Sequence, residues 1–420
     1  MANSIISGYT IAGHDYSASK NRIALISLAV LYFMLGFITC LNDTLVPYFK
    51  KGFDLSYAAS SLVQFYFFLV YGLFSIPAGR IIGRIGYLKG MICGFVFAAA
   101  GAVLFYPAAV FHAYYLFLGA LFIVAIGIVF MQVAANPYII ILGPVASASA
   151  RLNLIQSVGS VGTILAPLFG AAVILPKMTG PGNSDAVKYP YLGIALLLIL
   201  ISIVISRLSL PVVRQDAEVV DKTADRAFPS SVFAFRNLNL GALGIFFFVG
   251  IEIAIASFLT NYIADALIIA EDAANRYVAF YWGGMLVGRL IGVVLLKRML
   301  PHHLLILNAI ISILLILLSV NTSGSLAVWS LISVGLFNSV MFAIIFSLSV
   351  SGLGKHIIKA SGVLSTAISG GAVIVVIQGW LIDSSSWATA FLVPAVCYFY
   401  IIFYGAHGYK SRYSEYQKGR

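Results

Sequence analysis

Apolar residues recur in runs of about twenty or more along the whole chain, separated by short clusters of Lys, Arg, Gly and Pro. Strict alternation of polar and apolar positions, the mark of a membrane β-barrel strand, is not seen in these runs. They therefore predict membrane-spanning helices. Twelve fit, at approximately 23–49, 56–78, 90–111, 114–142, 151–175, 190–208, 237–264, 274–296, 303–320, 326–352, 359–382 and 387–406. The longest polar stretch, Arg207 to Arg236, falls between the sixth and seventh spans. The expected architecture is an all-α polytopic membrane protein. It has one six-helix bundle over 1–208, a solvated linker over 209–236, and a second six-helix bundle with a tail over 237–420.

The two halves echo each other. "AGRIIGRIGYLKG", led by Gly79-Arg80, follows the second span, and "VGRLIGVVLLKRM", led by Gly288-Arg289, follows 209 residues later in the corresponding place of the second half. "LGPVASASARLNLIQSVGSVG" is answered by "LGKHIIKASGVLSTAISGG" at an offset of 211 residues. Similarity at half-length in a chain of twelve spans points to two related bundles.

Composition agrees with the spans: 61% of residues are hydrophobic, 9% are charged and the mean hydropathy is +1.02. Soluble domains carry roughly 25% charged residues. The net charge of +11 records orientation better than it records a nucleic-acid partner. Of the 25 Lys and Arg, five (Lys50, Lys51, Lys177, Lys188 and Arg276) fall on one side of the twelve spans. The other twenty, Arg289 counted among them, fall at the termini and in the loops on the other side, which the positive-inside rule makes cytoplasmic. The first nineteen residues contain no apolar core of a cleavable signal. Cys40, Cys93 and Cys397 lie within apolar runs and read as packing residues, without metal spacing or a disulfide framework. No G-x-x-x-x-G-K-[ST] loop and no Ser/His/Asp arrangement suggests ATP hydrolysis or another enzymatic activity, and no cofactor is expected.

Ionisable groups within a bilayer are costly, so each is a functional candidate. Two acids lie inside spans, Asp43 and Glu252. Asp43 is seven residues from Lys50, about 10 Å along a helix, and continues a stripe of Tyr32, Gly36 and Thr39 that suits a cavity wall. The alternative is a solvated helix-end acid at Asp43 and a hydrogen-bonded structural acid at Glu252. Amides gather as well: Gln132 and Asn136 on span 4, Asn153 and Gln156 with Ser160 on span 5, and Asn338 on span 10. Span 8 carries Tyr281-Trp282, and span 11 carries Thr366, Ser369 and Gln378. Such groups can join helices. Clustered in both halves beside an aromatic pair, they also complement the hydroxyls and faces of a sugar. No Lys or Arg is expected deep in a span, which argues against phosphorylated or anionic substrates.

These residues fall within longer stretches that resemble a known family. "GFITCLNDTLVPYFK", "SLVQFYFFLVYGLFSIPAG", "LFYPAA", "QVAANPYIIILG", "RLNLIQSVGSVGTILAP" and "FYWGGMLVGR" resemble the fucose–galactose–glucose:proton symporter family of the major facilitator superfamily. "FNSVMFAIIFSL" and "GGAVIVVIQGWLID" extend the resemblance over nearly the full chain. It implies the major facilitator fold and a sugar- and proton-handling role for Asp43 of the helix-1 Asn-Asp pair. The glutamate that fucose permeases carry two residues before A-A-N-P is Gln132 here, as in the glucose/galactose branch, and the helix-5 asparagine is Gly159. The expectation is an inner-membrane carrier, monomeric and with both termini cytoplasmic, importing a neutral hexose such as glucose or galactose with a proton or sodium ion. Asn42, Gln132, Asn136, Gln156, Trp282 and Asn338 are the expected sugar contacts, and Asp43 and Glu252 the cation-coupling acids. A drug exporter of the same superfamily and a non-transporting sugar sensor are the rival readings.

Overall fold

The computed structural model describes the backbone of residues 10–11, 18–52, 57–174, 184–208, 213–214 and 229–411, and the side chains of 22–41, 66–174, 186–208, 229–271 and 273–411. Twelve helical spans are long and apolar enough to cross a bilayer. The first half contains α1 (Ala18–Gly52), α2 (Tyr57–Ile85), α3 (Tyr87–Val110), α4 (Tyr114–Ile141), α5 (Ala148–Phe169) and α6 (Lys188–Arg207). The second opens with α7 (Arg236–Leu267), α8 (Glu271–Leu295) and α9 (Pro301–Asn321). Its tenth span is divided into α10 (Gly324–Asn338) and α11 (Met341–Ser349), and its eleventh into α12 (Ile357–Thr366) and α13 (Gly370–Ser384); α14 (Trp387–Phe403) completes it. Among the described residues the sole β pairing is Thr10–Ile11 against Val213–Arg214. Most of the expected linker, and the side chains of Asn42 and Asp43, lie outside the described residues.

Lipid is as apolar as leucine, so helices in a membrane associate through close packing rather than through a hydrophobic drive. Small residues make that approach possible here. On α5, a Cβ at Gly162 would overlap the carbonyl oxygen of Phe33 on α1, and a Cβ at Gly36 of α1 would overlap the carbonyl oxygen of Gly159. The backbones of α1 and α5 are therefore in contact along the face that carries the cavity residues of both helices. In the second half α7 packs on α13 and α14, while α8 and α9 pack on α10.

Two polar side chains serve carbonyls of α4, one at its end and one within it. Arg151, near the start of α5, donates from Nη2 to the carbonyl of Ile140 at 2.7 Å and from Nε to that of Ile139 at 3.2 Å. Its Nη1 reaches the Pro144 carbonyl at 2.9 Å, so one guanidinium serves the last carbonyls of α4, where a helix end favours positive charge. Pro137 has no N–H to offer the carbonyl one turn earlier. That carbonyl, of Val133, accepts instead from Ser361 Oγ of the second half at 2.9 Å.

With twelve spans, the described chain ends lie on the same side as the ends of α6 and α7 that face the linker; we call this the linker side. The hydrogen bonds that join the halves among the described residues fall in the linker-side half of the helices. They run from Ser361 to Val133, between Ser149 and Ser347, from Asn153 Nδ2 to the Arg289 carbonyl at 2.7 Å, and from Arg289 to Gln156 and Ser160. The halves are thus closed against each other on the linker side.

Candidate transport site

Beyond that closed floor, a cavity of about 460 Å³ lies between the halves. Helical spacing selects what faces it. α1 contributes Tyr32, Gly36 and Thr39, α4 Gln132 and Asn136, and α5 Gln156 and Ser160. From the second half come Val249, Glu252 and Ile253 of α7, then Trp282, Met285 and Arg289 of α8. Each set follows the i, i+3, i+4 or i+7 pattern of one helix face.

The two walls differ in chemistry. On the first, the Tyr32 hydroxyl donates to Asn136 Oδ1, which fixes α1 to α4. Thr39 Oγ1, Gln132 Oε1 and Gln156 Oε1 are buried and have no hydrogen-bond partner among the described residues. Leaving a buried polar group unsatisfied costs about 1–3 kcal/mol. Three of them around one cavity suit a ligand rich in hydroxyls. On the second wall the Trp282 ring stands edge-on to Tyr281, with centroids 5.4 Å apart and an interplanar angle of 83°. Glu252 shares this wall with Arg289, and each lies within electrostatic reach of the other.

Residues 28–371 match the Major Facilitator Superfamily. The chain belongs to that superfamily. Among its relatives, the glucose/galactose transporter of Brucella abortus is 44% identical over 98% of this chain and 100% of its own length. The L-fucose-proton symporter of Escherichia coli is 31% identical over 95% of this chain and 96% of its own. A crystal structure of the superfamily transporter FucP in the outward conformation superposes with a TM-score of 0.82 at 29% identity, covering 92% of this chain and 99% of that one. The resemblance read from the sequence motifs and the twelve-helix fold agree with these relatives.

Within this superfamily member, the structure brings Gln132, Asn136, Gln156, Trp282 and Glu252 to one cavity. Asn42 and Asp43 lie on α1 beyond its described side chains. Asn338 is not on the cavity wall. It is fully buried at the end of α10, where its Oδ1 accepts from the Tyr398 hydroxyl and its Nδ2 donates to the Tyr281 hydroxyl at 3.5 Å. Tyr281 in turn donates to the Glu252 carbonyl at 3.4 Å, so Asn338 stands behind the wall and supports it. Asn153 likewise belongs to the floor between the halves, through its bond to the Arg289 carbonyl.

The expectation of no deep cation is also overturned. Arg289, assigned from the repeat to a loop, sits within α8 and lines the cavity, whereas its counterpart Arg80 is exposed. Eight residues separate Arg289 from Lys297, about 12 Å of helix, and that spacing was the available signal. Tyr71, Phe67 and Phe68 of α2 also line the cavity, and their apolar span gave no polar pattern to mark them. Among the described residues no group of His, Cys, Asp and Glu is gathered to hold a metal ion.

Proposed function

We propose that the chain is a secondary transporter that imports a neutral hexose of the glucose or galactose class, with symport of a proton, by alternating access between its halves. The observation that carries this reading is the set of unpartnered polar atoms of Thr39, Gln132 and Gln156 around a cavity of about 460 Å³. That volume falls in the range of small-ligand pockets, roughly 300–1,000 Å³. Asn42, Gln132, Asn136 and Gln156 serve as hydroxyl partners, Trp282 offers a flat face to the ring, and Asp43 and Glu252 carry the coupled cation. Asn338 takes a supporting role through Tyr281. A relative named as a glucose/galactose transporter at 44% identity favours hexose over the amphipathic substrates of an exporter. The carrier works as a monomer in the inner membrane with its linker side cytoplasmic, in keeping with the excess of Lys and Arg there.

Counterflow of labelled glucose and galactose in proteoliposomes, with and without a proton gradient, tests the whole reading; a folded protein that exchanges neither sugar would reduce it to a sensor or redirect it to another substrate. Gln132→Ala should weaken hexose binding by about 1–3 kcal/mol, since a substrate hydroxyl loses its acceptor. Unchanged affinity in a folded variant would make Gln132 a helix–helix contact. Glucose 6-phosphate should fail to compete. Arg289 already donates to Ser339, Gln156 and Ser160 and shares its wall with the Glu252 carboxylate, so the cavity offers no uncommitted positive charge among its described residues. Competition at hexose-like concentrations would refute that account of the charge.

A further inference from the structure

Among its described residues α2 lines the cavity with Phe67, Phe68 and Tyr71, and of these only Tyr71 carries a polar side-chain atom. Tyr71 lies one helical turn from Ser75 on the same helix. The Ser75 carbonyl oxygen is 2.8 Å from the place of a Cβ at Gly362 of α12, in the other half. That close approach belongs to the closed linker side, so Tyr71 stands at the deep end of the cavity, next to the floor. The residue is 2% exposed, and the Phe67 ring lies 5.3 Å from its own at a tilt of 54°. Packing therefore holds the ring in place before a ligand arrives. The Tyr71 hydroxyl makes no hydrogen bond among the described residues. Tyr32 is within its electrostatic reach, but the Tyr32 hydroxyl already donates to Asn136. A buried hydroxyl without a partner is costly, and this one borders the space where a ligand would lie.

We propose that Tyr71 is a sugar ligand, its hydroxyl donating from the floor end of the cavity to one oxygen of the bound hexose. The inference rests on the transport reading above and adds a contact from a helix that the amide clusters do not mark. Thr39, Gln132 and Gln156 leave oxygens unpartnered around the same cavity, and the two amide oxygens can only accept. A sugar hydroxyl that donates to one of them keeps lone pairs of its own, and the ring oxygen of a pyranose can only accept. Such an oxygen needs a donor, and the phenol of Tyr71 supplies one. Because Phe67 already fixes the ring, little rotamer freedom is lost when the bond forms.

The test is equilibrium binding of labelled glucose to the purified full-length carrier, wild type against Tyr71→Phe. The variant keeps the ring and its contact with Phe67 and loses only the hydroxyl. Its affinity for glucose should fall about fivefold to tenfold. Its thermal midpoint without sugar should match wild type, since no partner within the protein is lost. Competition by the full set of monodeoxyglucoses and by 5-thioglucose then finds the oxygen concerned. Against the analogue that lacks this oxygen, variant and wild type should agree within about twofold, while the full loss persists against the others. An unchanged glucose affinity, or the same loss against every analogue, would overturn the assignment and leave Tyr71 as packing. A lowered midpoint, or a variant that does not fold, would give the hydroxyl a structural role in the protein and overturn it as well. Wild-type protein that binds no hexose at all would instead remove the transport reading, and this inference with it.

Discussion

Asp43→Asn should abolish gradient-driven accumulation of hexose while leaving sugar binding and part of the exchange activity in place. Tyr32, Gly36 and Thr39 line the cavity from one face of α1, and Asp43 follows at the next interval of that spacing. On the proposed transport reading Asp43 faces that cavity, and a carboxylate in a space that alternately fills with water and closes is stable in charged form when wet and costly when occluded. Binding a proton from the outer side removes that cost and lets the loaded carrier turn. Asparagine copies the shape and hydrogen bonding of the protonated acid but has no proton to release. The variant should therefore equilibrate labelled hexose across the membrane under a proton gradient without concentrating it. Equal concentrative uptake by variant and wild type would return Asp43 to a solvated helix end. Loss of binding together with transport would make it a sugar ligand first and shift coupling to Glu252.

What the sequence made legible follows from how local each constraint is. A bilayer imposes length and apolarity on every span separately, so the twelve spans could be read one at a time. The stripes on α1, α4 and α5 were legible because helical spacing alone determines which residues share a face. Which face meets the cavity is a non-local matter. Asn338 and Gln132 are both amides in apolar runs, yet Asn338 turns to the tyrosines of α8 and α14 while Gln132 lines the cavity. Arg289 was hidden by the repeat itself. Its counterpart Arg80 is exposed, and equivalence between the halves suggested the same for Arg289. The breaks within the tenth and eleventh spans carry no proline. They fall where Ser339 Oγ bonds the Leu336 carbonyl at 2.7 Å and Thr366 Oγ1 bonds the Gly362 carbonyl at 3.0 Å, side-chain competition that is common enough within unbroken helices to be a poor signal.

Gly162→Val should destabilise the protein by about 3 kcal/mol, the upper end of the overpacking range, and should distort the sugar site with it. The first added atom would overlap the Phe33 carbonyl oxygen and stand 2.9 Å from the Phe37 backbone nitrogen. Both neighbours are α1 backbone, so no rotamer change relieves the overlap and α1 must move away from α5. Tyr32 and Thr39 move with α1, while Asn136 and Gln156 stay with α4 and α5. The Tyr32–Asn136 bond and the spacing of the polar atoms around the cavity should both be disturbed. Gly193→Val on α6 is the matched control, because nothing lies within 4 Å of a Cβ there. The measurements are the thermal midpoint of the detergent-purified protein and the half-saturating hexose concentration for counterflow. Gly162→Val should lower the first and raise the second, and Gly193→Val should leave both close to wild type. If the two variants behave alike, α1 and α5 are not held at backbone contact, and the geometry of the first cavity wall would have to be redrawn.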